Sequence, residues 1–249
     1  MEPEVLIIEV TGEKEYKIFE TGVSVRVCTE TEALEHLEGK LHLFLVVQCN
    51  MDRKDIHKLA KFFFASSALE SISVMYSAVA VSLALGVQNL AVIGLSHLKS
   101  GGIECSVDLV GKSSLAYPHS FTRAMEFDAF IDEVMNCLGS STYRSTTSLA
   151  YIRGEASLRE RAYQALEQRG LFDLSEEASF DETEAEGGGY RLAPFPSYFE
   201  KSMPHNLLPD SDPVYIGAVL TTMINYFEIK EVNTREDFEA GSTKHLILN

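Results

Sequence analysis

The sequence predicts an α/β fold, because segments with the periodicity of strands alternate along the chain with segments that have the periodicity of helices. The strand-like segments are short runs of continuous or alternating apolar residues. The helix-like segments place apolar residues three and four positions apart, as in residues 52–65, where Ile56, Leu59, Phe62 and Phe63 share one side. The sequence pattern reveals no internal repeat.

The first half of the chain supplies most of the predicted strands. Three runs at residues 5–10, 15–20 and 23–28 predict an antiparallel meander, with a first turn at Thr11 and Gly12. A short helix is expected after Thr29 or Thr31, and Asp52 is expected to begin the next one. Further strands are predicted at residues 41–47, 72–74, 90–93, 103–110 and 114–117, and further helices at 52–65, 76–85 and 127–138.

The last part of the chain is predicted to be mainly helical. Residues 139–147 are rich in Ser and Thr and are interpreted as a connection. Residues 155–169 are predicted to form a helix that Gly170 ends. Helices are also expected at residues 196–203 and across the apolar block 214–227.

Composition and charge limit the class of protein and its partners. The 249 residues are 45% hydrophobic, enough for one large core or two small ones. No apolar run has the length of a transmembrane helix, and the acidic start is unlike a secretory leader. We therefore expect no membrane partner and a nuclear or cytoplasmic location. The net charge of −16 argues against direct binding to nucleic acid.

The cysteines, the histidines and a run of acidic residues are candidate sites. The four cysteines are widely spaced, which favours buried reduced thiols (Cys28, Cys49, Cys105 and Cys137). The histidines lack the spacing of zinc ligands, so no metal site is expected. Residues 173–186, the acidic segment, contain seven carboxylates and no Lys or Arg. Two interpretations stay open for it: a solvated loop, or a docking strip for a basic partner such as a histone tail.

The most specific pattern lies near the C-terminus. Tyr215-Ile-Gly-Ala218 opens an apolar helix, and Glu239-Ala-Gly241 follows at a fixed distance. This arrangement resembles the end of actins and actin-related proteins, where an aromatic-Ile-Gly-Gly segment begins a helix and a Glu-x-Gly element follows. Upstream, Gly188-Gly-Tyr-Arg-Leu-Ala-Pro194 resembles the Gly-rich turn that precedes a helix in this family. Residues 41–138 match the order of strands and helices in the family, including its turn at Tyr117-Pro-His119.

The resemblance implies an actin-like (ribonuclease H-like) fold of two lobes with reduced outer subdomains. The outer subdomains are expected to be reduced because the segments that would hold them are short. Residues 1–138 would supply elements of the first lobe and the start of the second. Residues 139–186 would be a reduced connection that includes the acidic segment. Residues 187–249 would return through the Gly turn and the C-terminal helices to complete both lobes.

The resemblance also implies an ATP site formed by two Gly-rich hairpin loops, and both loops depart from the family pattern. The first loop, at residues 9–15, crowds three carboxylates where a triphosphate would lie, and Lys14 offsets part of that charge. The second loop, at residues 94–102, contains no carboxylate to orient Mg²⁺-bound water. We therefore expect no catalytic residue, no enzymatic activity and no resident cofactor. Residual contacts to ATP are assigned to the glycines of the two loops and of the Gly turn (Gly12, Gly101, Gly102, Gly187, Gly188 and Gly189).

The functional hypothesis is a non-catalytic actin-related subunit that docks a partner helix within a larger assembly. The family analogy favours a nuclear chromatin-remodelling or histone acetyltransferase complex, with a helix of a remodelling ATPase or scaffold as the partner. The groove implied by the resemblance would be flanked by five residues that, taken singly, are also ordinary core positions (Leu83, Leu85, Thr221, Ile224 and Tyr226). Two alternatives stay open: a cytoskeletal filament-end or dynactin-type cap, and a residual nucleotide-binding switch.

Overall fold

The chain forms two compact units in a computed structural model. The model describes residues 5–12, 15–20, 23–66, 69–97, 102–172, 189–193, 212–228, 233–240 and 247–248. Unit 1 comprises Met1–Ala84 and Pro196–Asn249, and unit 2 comprises Leu85–Phe195.

Unit 1 is built around a seven-stranded mixed sheet. Its strands are β1 (Val5–Gly12), β2 (Glu15–Glu20), β3 (Val23–Thr29), β4 (His42–Val47), β5 (Ser71–Tyr76), β11 (Asn233–Thr234) and β12 (Ile247–Leu248). Its helices are α1 (Glu30–His36), α2 (Arg53–Ser66), α3 (Ser77–Leu85), α7 (Pro213–Glu228) and α8 (Arg235–Glu239). The strands are ordered β11-β5-β4-β1-β2-β3, and β12 also pairs with β5. β1, β2 and β3 form the predicted antiparallel meander, while β4 and β5 run parallel to β1.

The central strands of unit 1 are buried on both faces. Ile56, Ala60 and Phe63 of α2 share one core with alternate residues of β1 and β4. The intervening residues Ile7 and Phe44 are also buried, on the other face of the sheet. This double burial explains why β1 and β4 have continuous apolar sequences rather than alternating ones.

Unit 2 is built around a five-stranded sheet. Its strands are β6 (Leu90–His97), β7 (Ile103–Gly111), β8 (Ser114–Met125), β9 (Leu149–Gly154) and β10 (Arg191–Leu192). Its helices are α4 (Phe127–Gly139), α5 (Ser141–Arg144) and α6 (Ala156–Gln168). The core is formed by β6, β7 and β9 with α4 and α6, and Phe130, Val134 and Ala162 are fully buried in it. The hydroxyl group of Tyr143 in α5 donates a hydrogen bond of 2.7 Å to the Val107 carbonyl oxygen.

The two sheets share one topology. In unit 2, β6, β7 and β8 form an antiparallel meander, and β9 and β10 follow in parallel beside β6. Unit 1 has the same arrangement in β1, β2 and β3 with β4 and β5. The chain therefore repeats one α/β unit, although its sequence shows no repeat.

Most of the predicted elements are present, with differences where the local signal was weak. β8 extends to Met125, eight residues beyond the predicted end at residue 117. The predicted connection at residues 139–147 contains α5. β9 and β10 were not predicted, and β9 lies in the segment interpreted as a reduced connection. The helix expected at residues 196–203 and the acidic segment lie outside the described residues.

The cysteines are buried, as predicted for reduced thiols. Burial raises the pKa of Cys105 to about 12 and that of Cys137 to about 11, and the nearby Glu133 carboxylate acts in the same direction. Both thiols therefore stay protonated, and hence weakly nucleophilic, at neutral pH. In the described part of the chain, no helix combines the length and the apolarity required to cross a membrane.

Candidate functional site

The hairpin of β1 and β2 in unit 1 corresponds to the first predicted phosphate loop. Glu9 is only 1% exposed, and Lys17 lies directly opposite it in the strand register. The Lys17 Nζ atom is 4.0 Å from Glu9 Oε2 and donates a hydrogen bond to Asp212 Oδ2. We call these three residues the Glu9–Lys17–Asp212 cluster. The cluster places two carboxylates around one ammonium group, so Lys17 is already engaged by side chains of the protein.

Asp212 links the hairpin to the start of α7. Its Oδ1 atom accepts a hydrogen bond of 3.0 Å from the Val214 backbone N–H, and Pro213 occupies the first helical position. The Phe19 ring of β2 stacks on the Tyr215 ring of α7, with centroids 5.0 Å apart. The Tyr215-Ile-Gly-Ala218 segment therefore begins a helix, as predicted, and packs that helix on the first hairpin.

The placement of Glu9 corrects one sequence-based expectation. Three carboxylates were expected to crowd the first loop, but the Glu9 side chain is buried and paired with Lys17. Lys17 was not among the predicted site residues, because the two residues are eight positions apart and meet only through strand pairing. Gly12 ends β1 opposite Glu15, and Glu13 and Lys14 lie outside the described residues.

Lys17→Met tests the cluster, because it removes the ammonium group and keeps most of the alkyl chain. We expect a loss of about 1–3 kcal/mol in the free energy of unfolding, since the buried Glu9 carboxylate loses its cationic neighbour. Urea denaturation followed by circular dichroism measures this change. In the Glu9→Gln/Lys17→Met double variant the loss should be smaller than the sum of the single losses.

Lys58→Met is the matched control for this prediction. Lys58 pairs with Asp55 at 2.7 Å, but both side chains are largely exposed. The stability should therefore be unchanged within error. An equal loss in the Lys17 and Lys58 variants, or additive losses in the Glu9 and Lys17 variants, would contradict the assigned role of the cluster.

The end of the β6–β7 hairpin in unit 2 corresponds to the second predicted loop. The Ser96 hydroxyl donates a hydrogen bond of 3.3 Å to Glu104 Oε2, and His97 Nε2 lies 4.0 Å from Glu155 Oε2. The second loop was expected to offer no carboxylate, and its own residues contain none. The structure adds Glu104 from β7 and Glu155 from the turn between β9 and α6. Sequence analysis missed both because they lie outside the loop.

The predicted glycines of this region are only partly described. Gly102 is exposed and precedes β7, whereas Gly101 lies outside the described residues. Among the described residues, no group of three or more His, Cys, Asp or Glu side chains is placed to hold a metal ion.

The predicted Gly turn leads into a strand where it is described. Gly187 and Gly188 lie outside the described residues, and Gly189 precedes Tyr190 and β10. Tyr190 is buried, and its hydroxyl group donates to the Leu138 carbonyl oxygen at 3.1 Å. Burial raises the pKa of Tyr190 to about 12. Gly154, which was not among the predicted site residues, ends β9 two positions before α6 and has a positive φ angle.

The residues assigned to the partner groove differ in exposure. Leu83 is half-buried, while Leu85 and Thr221 are buried. The Thr221 hydroxyl donates to the Gly217 carbonyl oxygen at 2.8 Å, within α7. Ile224 and Tyr226 also belong to α7, but their side chains are outside the described part. Leu85 and Thr221 are therefore core positions, in agreement with the alternative left open for single residues.

Together, the two sheets and their helices define an actin-like α/β fold. The structure is similar to human actin-related protein Arp8 in its ATP-bound state, with a TM-score of 0.53 and 10% sequence identity. The similarity covers 86% of this chain and 60% of the Arp8 chain. At this identity the comparison shows the fold, and the predicted resemblance to actin-related proteins is confirmed at that level. No protein-family model matches the sequence, and no curated protein matches it.

Proposed function

We propose that this chain is a non-catalytic subunit with an actin-like fold, which docks a helical segment of a protein partner inside a multi-protein complex. The Glu9–Lys17–Asp212 cluster is the observation that supports this proposal most directly. A lysine at the end of the first hairpin is the kind of residue that neutralises phosphate oxygens. Here its ammonium group already contacts two carboxylates, one of them 1% exposed.

The cost of rearranging the cluster is what disfavours nucleotide binding. For Lys17 to reach a phosphate group, Glu9 would lose its neighbouring cation while still buried in the sheet. Asp212 would lose the same cation while its Oδ1 atom still accepts from the start of α7. Leaving a buried carboxylate without its cation is strongly unfavourable. We infer that the chain has no ATPase activity and no resident cofactor.

The buried core within each unit supports a binding role. Each unit retains a continuous buried core around its own sheet, so each can present a rigid surface. The net charge of −16 disfavours a nucleic-acid partner and suits a basic protein surface. We propose a nuclear remodelling or acetyltransferase assembly as the setting, by analogy with the fold alone.

A thermal shift experiment with millimolar Mg²⁺-ATP tests the loss of nucleotide binding. We expect no change in the unfolding temperature, because Lys17 of the first hairpin is already engaged by Glu9 and Asp212. Human Arp8 is the positive control, because the Arp8 structure to which this fold is similar is of its ATP-bound state. A ligand at 100 times its Kd stabilises a protein by about 2.7 kcal/mol, so even weak binding would be measurable. A clear upward shift would support the nucleotide-switch alternative instead.

Affinity purification of the tagged full chain from its native cell tests the partner class. We expect recovery of a remodelling ATPase or acetyltransferase with its scaffold subunits. Purification should be repeated at high salt, because a partner held by an apolar helix contact stays bound while charge-driven contacts are lost. Recovery of filament or motor components would replace the nuclear proposal with the cytoskeletal one.

A further inference from the structure

The outer face of α2 carries a row of basic side chains. The helix contains Arg53, Lys54, Lys58 and Lys61 and only one acidic residue, Asp55, in a chain whose net charge is −16. The three lysines are exposed, and they follow one another at intervals of four and then three positions. Residues at this spacing are neighbours on one side of a helix. We call Lys54, Lys58 and Lys61 the lysine row.

The acidic residues beside the lysine row neutralise only part of its charge. Asp55 pairs with Lys58, with 2.7 Å between the Asp55 Oδ1 atom and Lys58 Nζ. The Asp52 carboxylate accepts a hydrogen bond from the Asp55 backbone N–H at the start of the helix. Among the described residues, Lys54 and Lys61 have no ion-pair partner. These two ammonium groups belong to residues about 10 Å apart along the helix axis.

An aromatic side chain lies beside the lysine row. Phe62 follows Lys58 by four positions, so the two side chains are neighbours on the helix. The Phe62 ring is half-buried and meets the Phe63 ring edge-on, with centroids 5.4 Å apart. Ile56 and Phe63, on the other side of α2, are fully buried in the core of unit 1. The outer face is therefore a fixed surface that combines positive charge with apolar area.

Acidic residues of α8 bound this basic surface on one side. The Phe238 ring of α8 stacks on the His57 ring of α2, with centroids 4.5 Å apart. α8 also carries three exposed carboxylates, Glu236, Asp237 and Glu239. On this side the positive surface therefore ends at α2, whose 14 residues span about 21 Å.

The limited extent of the basic surface favours a short acidic segment of a protein as its partner. A nucleic acid or an anionic membrane carries negative charge far beyond the length of one helix, where the net charge of −16 opposes its approach. A short acidic helix places its charge only against the lysine row. Its apolar side chains also cover the exposed part of the Phe62 ring, as in other helices that bind through one amphipathic face.

We propose that the lysine row of α2 docks an acidic amphipathic helix of a protein partner. Carboxylates at intervals of four and three positions on that helix pair with Lys54, Lys58 and Lys61, and its apolar side chains contact Phe62. The inference rests on the proposed function, because it names the docking surface and the chemistry of the helical segment that the chain binds.

A labelled helical peptide tests the proposal on the full chain. The probe is a synthetic, fluorescein-labelled amphipathic helix with Glu at intervals of four and three positions and Leu beside them. Its counterpart has Gln at every Glu position. At low salt, fluorescence anisotropy should show saturable binding of the Glu peptide, about tenfold tighter than that of the Gln peptide. Lys61→Glu should weaken binding of the Glu peptide about tenfold, because an attraction becomes a repulsion.

Lys112→Glu is the matched control. Lys112 is also exposed, but it lies in the turn between β7 and β8 of unit 2, so its reversal changes the net charge equally without altering the lysine row. Circular dichroism verifies that both variants are folded. The proposal is overturned if the Glu peptide does not saturate, if the two peptides bind equally, or if the two variants weaken binding equally. Tighter binding of a DNA duplex or of anionic vesicles than of the Glu peptide also overturns it.

The native complex separates this inference from the proposed function. In the complex recovered by affinity purification, acetylation of exposed lysines followed by mass spectrometry should show Lys54 and Lys61 protected relative to the free chain, and Lys112 equally reactive. A complex in which Lys54 and Lys61 react as in the free chain overturns the inference and leaves the proposed function standing. Recovery of no complex contradicts the proposed function, and the peptide experiment then decides the inference by itself.

Discussion

Gly217→Ala destabilises unit 1 by about 3 kcal/mol or more, because α3 and α7 cross in direct backbone contact at this residue. A Cβ atom added at Gly217 would lie 1.8 Å from the Ala80 carbonyl oxygen and 2.5 Å from its carbonyl carbon. Both contacts are with backbone atoms, which cannot rotate away. Relief requires the two helices to separate, but Val79 and Val81 hold α3 in the core.

The contact with the Ala80 backbone, and not helix propensity, determines whether Gly217→Ala lowers or raises the free energy of unfolding. Alanine in a helix interior is favoured over glycine by about 1 kcal/mol, so an uncrowded site would gain stability. Gly139, the last residue of α4, is the matched control, because a Cβ atom there meets no atom within 4 Å. Urea denaturation followed by circular dichroism should show a lower midpoint for Gly217→Ala, and an unchanged or higher midpoint for Gly139→Ala. A Gly217→Ala protein as stable as the wild type would refute the close crossing.

Gly154→Ala is expected to destabilise unit 2 by a similar amount, through two separate effects. Gly154 has a φ angle of 140°, a conformation that is essentially restricted to glycine. A Cβ atom there would also lie 2.2 Å from the Leu95 carbonyl oxygen. Leu95 and Gly154 form the last pair of the parallel β6–β9 ladder, so the substitution forces the two strands apart.

Gly170→Ala provides a comparison at a glycine that has a positive φ angle and no steric contact. Gly170 also has a positive φ angle, 73°, but a Cβ atom there meets nothing within 4 Å. We expect Gly170→Ala to lower the free energy of unfolding by about 1 kcal/mol, which is the cost of a left-handed conformation for alanine. In the same urea experiment, the loss in the free energy of unfolding should be at least twice as large for Gly154→Ala. Equal losses would mean that the contact with Leu95 contributes nothing.

The local elements were largely predictable because their signals lie within a few residues. Thr29 begins α1 as predicted, and the Glu32 carboxylate accepts from its backbone N–H at 2.8 Å. The Asp52 carboxylate accepts from the Asp55 N–H at 2.8 Å, in agreement with its predicted role at the start of α2. Gly170 follows the end of α6, as predicted, and the structure gives it a left-handed conformation.

The missed elements depend on pairing with distant strands. β10 has two residues and is a strand only because it lies beside β9, some forty positions earlier in the chain. β12 lies beside β5 in the same way. Such short segments have no periodicity of their own, since a strand needs four or more residues to show one. The repeated topology of the two units escaped detection for the same reason, because it resides in strand pairing and not in residue identity.

In the candidate site, too, the residue types were predictable from the sequence and the contacts between distant residues were not. The departure of both hairpin loops from the family pattern was visible in the sequence, because residue types alone reveal missing glycines and misplaced carboxylates. The sequence did not reveal which charged side chains contact one another. Lys17 and Asp212 are 195 positions apart, and their contact exists because α7 returns to the first hairpin.

The α/β class, the order of most strands and helices, the buried thiols and the resemblance to actin-related proteins were all predictable from the residues alone. These follow from periodicity, capping residues and short motifs, all of which act over a few residues. Three further facts became known from the folded chain: Glu9 is buried beside Lys17, Leu85 and Thr221 are buried, and β11 and β12 pair with β5. Those outcomes depend on burial and on contacts between distant segments, which exist only after the chain has folded.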